Sequence, residues 1–378
     1  MTVPPPSQLP EEMNEEIFRG RIVPAFLTGP PARDNPVVVI VGGQTGAGKT
    51  EMTKMVRRAL GGPGEYTNID MDLYNPMHPG FTRWQAEDPA TASAKVRPDG
   101  ELWWTKAQRY AIEQRQNVVL ESAMRDPSEF EDIAAAFRGG GYRVEVALAA
   151  VPSALSRLGV LSRYHDEVET SGQGRYVSPA GHDACYEGVL RGAAAVDAGG
   201  LADAAFAFRR SGAAVYANHA DADGTWRAPA GLAAAVEQER QRPWTDAERA
   251  AYQQAMARER ARGGDEWRPE LDAVDRLAAP LLRDGTPGAG PPADTAQRRA
   301  LDEADAVHPP TPDEAEQAAD PTRQQALDDA VGRIRRAREA LDQVRAHAED
   351  LDRPGPAPSL ESGAEPPDPA PEREAEPG

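Results

Sequence analysis

Cysteine is almost absent from this sequence, which contains only one, Cys185, in 378 residues. A single cysteine cannot form an internal disulfide and cannot by itself supply the thiolate ligands of a metal site. Disulfide scaffolds and cysteine-rich zinc sites are therefore excluded. We expect Cys185 to be a buried, unreactive thiol in a reducing compartment.

Long apolar runs are also absent. No stretch approaches the roughly 18 to 20 apolar residues that a membrane-spanning helix requires. The N-terminal segment is acidic and rich in proline, whereas a secretory signal begins with basic residues and continues with apolar ones. We therefore expect a cytoplasmic protein that does not associate with a membrane.

Basic residues are too few for a nucleic-acid-binding surface. The chain has 42 Lys and Arg against 61 Asp and Glu, and its formal net charge is −19. Phosphate backbones are bound by clustered basic side chains, so a nucleic-acid partner is not expected. More than half of the acidic excess lies after residue 300, which leaves the preceding part of the chain much closer to neutral.

Short apolar runs alternate with helical patterns through the first 220 residues. Apolar runs of strand length alternating with amphipathic segments are typical of a parallel sheet covered by helices. The predicted strands are 37–41, 66–70, 117–122, 142–151 and 213–218, and the clearest predicted helices are 101–116 and 127–141. The fold class predicted is α/β, with a mostly helical and partly disordered C-terminal extension.

The strand pattern ends near residue 235. Thr245 and Glu248 have the spacing of a capping box and predict the start of a helix. Composition and periodicity then divide the chain into five predicted regions: an α/β domain at 1–235, a helical extension at 236–283, a linker rich in Pro, Gly and acidic residues at 284–321, an amphipathic helix at 322–351 and a disordered acidic tail at 352–378.

The segment GQTGAGKT carries the strongest chemical signal. It follows a predicted strand, precedes a predicted helix and has the phosphate-loop pattern of Gly, four residues and Gly-Lys-Thr. Backbone N–H groups of such a loop bind phosphate, the lysine reaches the β- and γ-phosphates and the threonine hydroxyl ligates Mg2+. The alternative is a glycine-rich turn with a chance lysine. The nucleotide-binding residues predicted are Gly43, Gln44, Thr45, Gly46, Ala47, Gly48, Lys49 and Thr50.

Carboxylates follow two of the predicted strands. Asp70 and Asp72 lie at the end of one strand, and Glu121 lies at the end of another. Ligands of open α/β sheets bind at the carboxyl ends of the strands, where a carboxylate could ligate Mg2+ or accept a proton from a hydroxyl. A solvated loop is the alternative for the aspartates, and a helix cap is the alternative for Glu121.

Taken together, several segments resemble the zeta toxin family of small-molecule kinases. They are GQTGAGKT, IDMD, HPGF, VVLES and LSRYHDEVETSGQGRYVSPAGHD, and the resemblance extends over about residues 20–220. It implies a P-loop kinase fold, the use of ATP and Mg2+, and transfer of phosphate to the 3′-hydroxyl of the amino sugar in UDP-N-acetylglucosamine. It also implies a separate antitoxin that holds the enzyme inactive.

The resemblance assigns roles to individual residues. Lys49 and Thr50 match the residues that hold the triphosphate and Mg2+, and Asp72 matches the general base. Substrate contacts are implied for Asp72, Glu121 and Arg125. Arg163 and Arg175 match the arginines that stabilise the transferred phosphoryl group. The catalytic residues predicted are thus Lys49, Asp72, Arg163 and Arg175.

Two departures from the family pattern leave the acceptor open. Where relatives read Glu-Gly-Thr this chain reads Glu121-Ser122-Ala123, and Thr105 stands where a further glutamate is usual. Another hydroxyl acceptor, such as an antibiotic, is therefore an alternative, as is a non-catalytic, ATP-dependent switch protein. Four aromatic residues form either a sugar-binding wall or, as we favour, core: Trp84, Trp103, Trp104 and Tyr110.

Overall fold

A six-stranded sheet lies at the centre of the structure, which is a computed structural model describing residues 8–283 except 173 and 222. The predicted regions 284–321, 322–351 and 352–378 lie outside the described residues. The strands are β1 (Val37–Gly42), β2 (Thr67–Ile69), β3 (Val118–Ser122), β4 (Arg143–Ala149), β5 (Ala204–Phe208) and β6 (Ala214–His219).

The strand order confirms the predicted α/β class. It is β2-β3-β1-β4-β5-β6, and the neighbours from β2 to β5 are all parallel. The predicted strand at 213–218 is present as β6, but it runs antiparallel to β5. A tight turn joins the two, closed by the N–H of Arg209 donating to the carbonyl of Ala213 at 2.9 Å. A connection this short cannot make the crossover that a parallel pair requires.

Strand β1 is central because both of its faces are apolar. Val38 and Ile40 point into one hydrophobic cluster, and Val39 and Val41 point into the cluster on the opposite face. This alternation follows from the two-residue period of a strand. A continuous β-branched run such as VVVIV is therefore suited to a strand that is covered on both sides.

Ten α-helices lie in the described residues: α1 (Glu11–Ile17), α2 (Lys49–Ala59), α3 (Phe81–Glu87), α4 (Pro89–Glu113), α5 (Pro127–Gly139), α6 (Ser153–Ser171), α7 (Pro179–Asp197), α8 (Leu232–Gln241), α9 (Asp246–Arg262) and α10 (Arg268–Ala278). A π-helical segment, Phe18–Leu27, continues α1. The helix predicted at 101–116 is the second half of α4, and the one predicted at 127–141 is α5. None of the helices in this part of the chain is long and apolar enough to cross a membrane.

The aromatic cluster belongs to the core, as favoured from the sequence. The side chains of Trp84, Trp103 and Trp104 are buried, and Tyr110 packs against the same cluster. The indole N–H of Trp103 donates to the carbonyl of Asn14 at 2.9 Å. Cys185, on α7, is buried as expected.

The C-terminal helices share a core with α6. Thr245 and Glu248 form the predicted capping box at the start of α9. Leu158 and Leu161 of α6 pack in one cluster with side chains of α9 and α10. The boundary predicted after residue 235 falls inside α8. Because these helices bury apolar surface against α6, they are not an appendage to the sheet domain.

Candidate active site

The phosphate loop follows β1 and ends in the first turn of α2. Gly46 and Gly48 have φ angles of +79° and +83°, a region that other residues seldom adopt. A Cβ on Gly46 would lie 2.0 Å from the carbonyl oxygen of Ser156, so the loop passes directly against α6. These two glycines therefore fix a loop whose backbone turns at the positive end of a helix dipole.

Lys49 folds back over its own loop. Its Nζ donates to the carbonyl of Gly43 at 2.6 Å. Burial lowers the pKa of Lys49, and the nearby carboxylates of Glu121 and Asp70 partly oppose that shift. Thr50 is exposed in the next position, and its hydroxyl makes no hydrogen bond to any described residue. Lys49 and Thr50 are thus both available at the predicted phosphate end of the loop.

Gln44 is the member of the loop whose side chain faces away from the ligand side. The side chain is fully buried, with its amide nitrogen donating to the carbonyl of Val151 at 2.8 Å. Gln44 was predicted to bind nucleotide along with the rest of the loop, and only its backbone is placed to do so.

Asp70 and Asp72 lie where the chain turns at the end of β2. Asp70 precedes a 3-10 turn, Met71–Leu73, and its Oδ1 accepts the backbone N–H of Asp72 at 3.0 Å. Burial raises the pKa of Asp70 to about 6, and the charges of Glu121 and Asp72 add to the effect. The Asp72 side chain is 57% exposed. The two aspartates therefore differ, because Asp70 is half-buried near other carboxylates and Asp72 is exposed to solvent.

The two predicted arginines converge on Asp72 from α6 and the segment after it. Nη1 of Arg175 lies 3.4 Å from Oδ2 of Asp72, while its Nη2 pairs with Glu167 at 2.7 Å. Arg163, one turn before Glu167, makes no hydrogen bond or ion pair with the described residues, and its Nε is buried without a partner. Burial and the neighbouring charge of Arg175 lower the pKa of Arg163.

Glu121 faces the same edge of the sheet from the end of β3. Its Oε1 lies 3.4 Å from Nη2 of Arg57, on α2, and Arg57 also donates to Asn68 at 2.8 Å. Glu121 does not cap the next helix, because Asp126 does so by accepting the N–H of Ser128 at 3.0 Å. The helix-cap alternative for Glu121 is therefore wrong, and its carboxylate is paired with Arg57 at this edge of the sheet.

Ser122 and Thr105, at the two positions where this chain departs from the family pattern, are hydrogen-bonded to other groups of the protein. Ser122 is buried, and its hydroxyl donates to Oε1 of Glu129 at 3.1 Å and accepts the backbone N–H of Met124. Thr105 is exposed, with its hydroxyl bonded to the carbonyl of Glu101. Arg125 is exposed in the loop between β3 and α5. Of these, only Arg125 presents a free side chain at the surface.

Three polar residues at this edge were missed from the sequence. Arg57 orients Glu121, and Glu167 holds Arg175 in place. Arg210, after β5, donates through Nη1 to the carbonyls of Gly46 and Leu155 at 3.0 Å each. It lines a cleft of about 440 Å³ beside α6, together with Arg163 and Glu167. Glu167 lies within the segment LSRYHDEVETSGQGRYVSPAGHD and could have been considered there, whereas nothing local marks Arg210.

The Zeta toxin family model matches residues 26–221, which is just over half of the chain. The chain belongs to the zeta toxin family. The matched residues run from the segment before β1 to just beyond β6. All of the predicted catalytic and substrate-binding residues lie within them, whereas α8, α9 and α10 lie outside.

Two curated zeta toxin relatives are similar over part of the chain. Toxin PezT of Streptococcus pneumoniae serotype 4 is 25% identical over 138 residues, which are 36% of this chain and 54% of that protein. Toxin zeta of Streptococcus pyogenes is 25% identical over 139 residues, 37% of this chain and 48% of that protein. The alignments thus span about half the length of each relative.

A solved structure supports the same zeta toxin fold. It is a chain from the PezAT chromosomal toxin-antitoxin system of Streptococcus pneumoniae, with a TM-score of 0.57 and 18% sequence identity. The similarity covers 67% of this chain and 96% of that one. At this identity the match establishes the fold, confirming the P-loop kinase-like sheet predicted from the sequence.

Proposed function

We propose that this protein is an ATP-dependent phosphotransferase that acts on a small molecule. One observation carries the proposal. An exposed carboxylate, Asp72, lies 3.4 Å from Arg175 at the carboxyl edge of the sheet, where the phosphate loop and Lys49 also lie. Proton acceptor, cations and phosphate-binding backbone are the parts that phosphoryl transfer requires.

The phosphate loop and four side chains have separate roles in the proposed transfer. The loop backbone and Lys49 bind the β- and γ-phosphates. Asp72 accepts the proton of the acceptor hydroxyl while the oxygen of that hydroxyl bonds to the γ-phosphorus. The bond between the γ-phosphorus and the β–γ bridging oxygen breaks, and ADP is released. Arg163 and Arg175 stabilise the charge on the moving group, because a planar guanidinium is always protonated and matches phosphate oxygens.

Mg2+ is the proposed metal, supplying charge that neutralises the phosphates. No group of three or more His, Cys, Asp or Glu side chains in the described residues is placed to hold a metal ion. Mg2+ usually keeps several waters and binds one or two protein ligands plus phosphates. The hydroxyl of Thr50, exposed at the start of α2, suits this mode of binding.

The proposed acceptor is the 3′-hydroxyl of the amino sugar in UDP-N-acetylglucosamine, with Glu121 and Arg125 contacting the sugar nucleotide. Membership of the zeta toxin family supports this choice. Relatives have a threonine hydroxyl where this chain has Ala123, and the hydroxyl of the neighbouring Ser122 is hydrogen-bonded to Glu129. The absence of an available hydroxyl at this point favours the second candidate, a kinase for another hydroxyl compound. ATP and UDP-N-acetylglucosamine are both cytoplasmic metabolites, so the proposed location of the protein is the cytoplasm.

A separate antitoxin is the proposed partner. The solved relative belongs to a toxin-antitoxin system, which supports a similar arrangement here. Expression of this chain alone should arrest growth, and co-expression of the neighbouring open reading frame should restore it. Normal growth with the wild-type chain alone would contradict the toxin assignment.

Labelled ATP separates the candidate functions. The full chain is incubated with ATP labelled at the γ-phosphate, Mg2+ and either UDP-N-acetylglucosamine or a panel of other hydroxyl compounds, with Lys49→Ala as the control. Label should move to UDP-N-acetylglucosamine in the wild-type reaction only. Transfer to a different compound would select the second candidate, and release of free phosphate alone would reject both.

A further inference from the structure

The Gln44 side chain in the phosphate loop has every polar atom paired inside the protein. Its amide nitrogen donates to the carbonyl of Val151 at 2.8 Å and to the hydroxyl of Ser156 at 3.2 Å. Its amide oxygen accepts from Nη2 of Arg240 at 3.1 Å. Because an arginine can only donate, its position fixes which end of the amide is oxygen. Arg240, 196 positions later in the chain, therefore holds the buried side of the loop through this hydrogen bond.

Arg240 is itself held rigidly. It lies near the end of α8 and is 5% exposed. Its Nη1 donates to the carbonyl of Tyr186 at 2.9 Å, and its guanidinium lies 3.8 Å from the centroid of the Tyr186 ring. Contacts on two sides leave the group little freedom. The donor that faces Gln44 therefore has a fixed direction.

A chain of hydrogen bonds continues from Gln44 through Ser156 to His182 and Asp183. The Ser156 hydroxyl lies 2.8 Å from Nε2 of His182, and Nδ1 of that ring lies 3.0 Å from Oδ1 of Asp183. Burial lowers the pKa of His182, which favours the neutral form of the ring. With Nδ1–H directed at the carboxylate, Nε2 accepts from Ser156. This assignment leaves the Ser156 oxygen to accept from Gln44, so every member of the chain is satisfied.

A second arginine connects this network to the last described helix. Nη2 of Arg157 pairs with Asp183 at 2.6 Å, and its Nη1 lies 3.5 Å from Oε1 of Glu270, on α10. Hydrogen bonds and ion pairs thus connect the buried side of the phosphate loop, at Gln44, to α8 and α10. Both helices lie outside residues 26–221, the span matched by the family model.

We propose that Arg240 is a positioning residue for nucleotide binding, acting through Gln44 to set the phosphate loop. The inference rests on the proposed function. Removing Arg240 leaves the amide oxygen of Gln44 buried without a donor, which is costly enough to make the side chain turn. Two residues later, Gly46 lies against the carbonyl of Ser156 with no room for even a Cβ. Rotation of Gln44 therefore displaces the backbone that binds phosphate.

The test compares Arg240→Met with Arg242→Met in the full chain. Arg242, two residues away, pairs with Glu239 and Glu248 and has no contact with the loop, so its variant controls for general loss of stability. We expect Mg-ATP to bind roughly 10-fold more weakly to Arg240→Met, with the KM for ATP raised and the KM for the acceptor unchanged. Arg242→Met should bind Mg-ATP like the wild type. Equal affinities in the two variants would overturn the inference.

A double-mutant cycle tests the route through Gln44. If Arg240 acts through that side chain, adding Arg240→Met to Gln44→Met should weaken ATP binding no further, whereas additive losses would overturn the route. If Arg240→Met does not fold, Arg240→Lys replaces it, because a single ammonium cannot reproduce the two-sided donor geometry. That variant should also lose affinity, and unchanged binding would overturn the inference. A wild-type chain that binds no Mg-ATP would reject the proposed function instead.

Discussion

Replacement of Asp72 by Asn should separate phosphoryl transfer from nucleotide binding. Asparagine keeps the size of the side chain but has no oxygen basic enough to accept a proton. General acid–base catalysis contributes roughly 100-fold to 10,000-fold to the rate of a reaction. We therefore expect kcat to fall by about 100-fold or more.

The structure limits the other effects of this change. Asp72 contacts Arg175 and Asn75 at 3.4 Å each and has no hydrogen bond or ion pair with the phosphate loop. Its ion pair with Arg175 is exposed on both sides, 57% and 41%, so its loss should cost no more than about 1 kcal/mol of folding stability. Neither ATP affinity nor the melting temperature should change much.

The assay measures three quantities on the wild type and the Asp72→Asn variant: the rate of label transfer to the acceptor, the dissociation constant of Mg-ATP and the melting temperature. Asp70→Asn is the control, because Asp70 supports the turn and should cost less in kcat. A fall in kcat of less than 10-fold would refute the assignment of Asp72 as the base. Equal losses in the two variants would instead indicate that both carboxylates bind Mg2+.

Further changes test the remaining assignments. Lys49→Ala should abolish transfer while the fold remains intact, because the lysine binds phosphate and packs no core; turnover near the wild-type level would remove the phosphate-loop assignment. Arg163→Met should lower kcat at least 10-fold without reducing stability, because Arg163 has no partner in the described residues whose charge would be left unpaired; unchanged turnover would reject its role. Asp70→Asn should stabilise the ligand-free protein at pH 7 by up to about 3 kcal/mol, because a folded pKa raised to about 6 costs stability above pH 6 and the cost disappears near pH 4; a gain that does not depend on pH would contradict this origin. Deletion of 284–378 should leave turnover within a few-fold, because every assigned site residue precedes that segment; a truncated protein that is insoluble would mean that the segment contributes to the core.

Local features of the sequence predicted the strands and the loop that build the site. The apolar run of β1, the glycines after it and the lysine that begins α2 are contiguous, so one short window contains the whole phosphate loop. The carboxylates at the ends of β2 and β3 could be placed for a similar reason. In a parallel sheet the carboxyl ends of neighbouring strands meet at one edge.

Features that depend on tertiary contacts could not be predicted. Strand β5 reads AAFAF, and alanine has little preference for strands; it is a strand because it lies between β4 and β6 in the sheet. The buried amide oxygen of Gln44 accepts a hydrogen bond from Arg240, which lies 196 positions later in the sequence. Likewise, Arg210 reaches the carbonyl of Gly46 across 164 positions, a separation at which no motif can indicate a contact.

We propose that this chain transfers phosphate from ATP to a hydroxyl group. Phosphorus NMR of the full chain with Mg-ATP and UDP-N-acetylglucosamine tests it most directly. We expect a new phosphomonoester resonance, coupled to the proton on carbon 3 of the amino sugar, that grows in step with ADP and grows at least about 100-fold more slowly with Asp72→Asn. ADP accompanied only by inorganic phosphate, in the wild-type reaction and with every other hydroxyl compound tried, would contradict it.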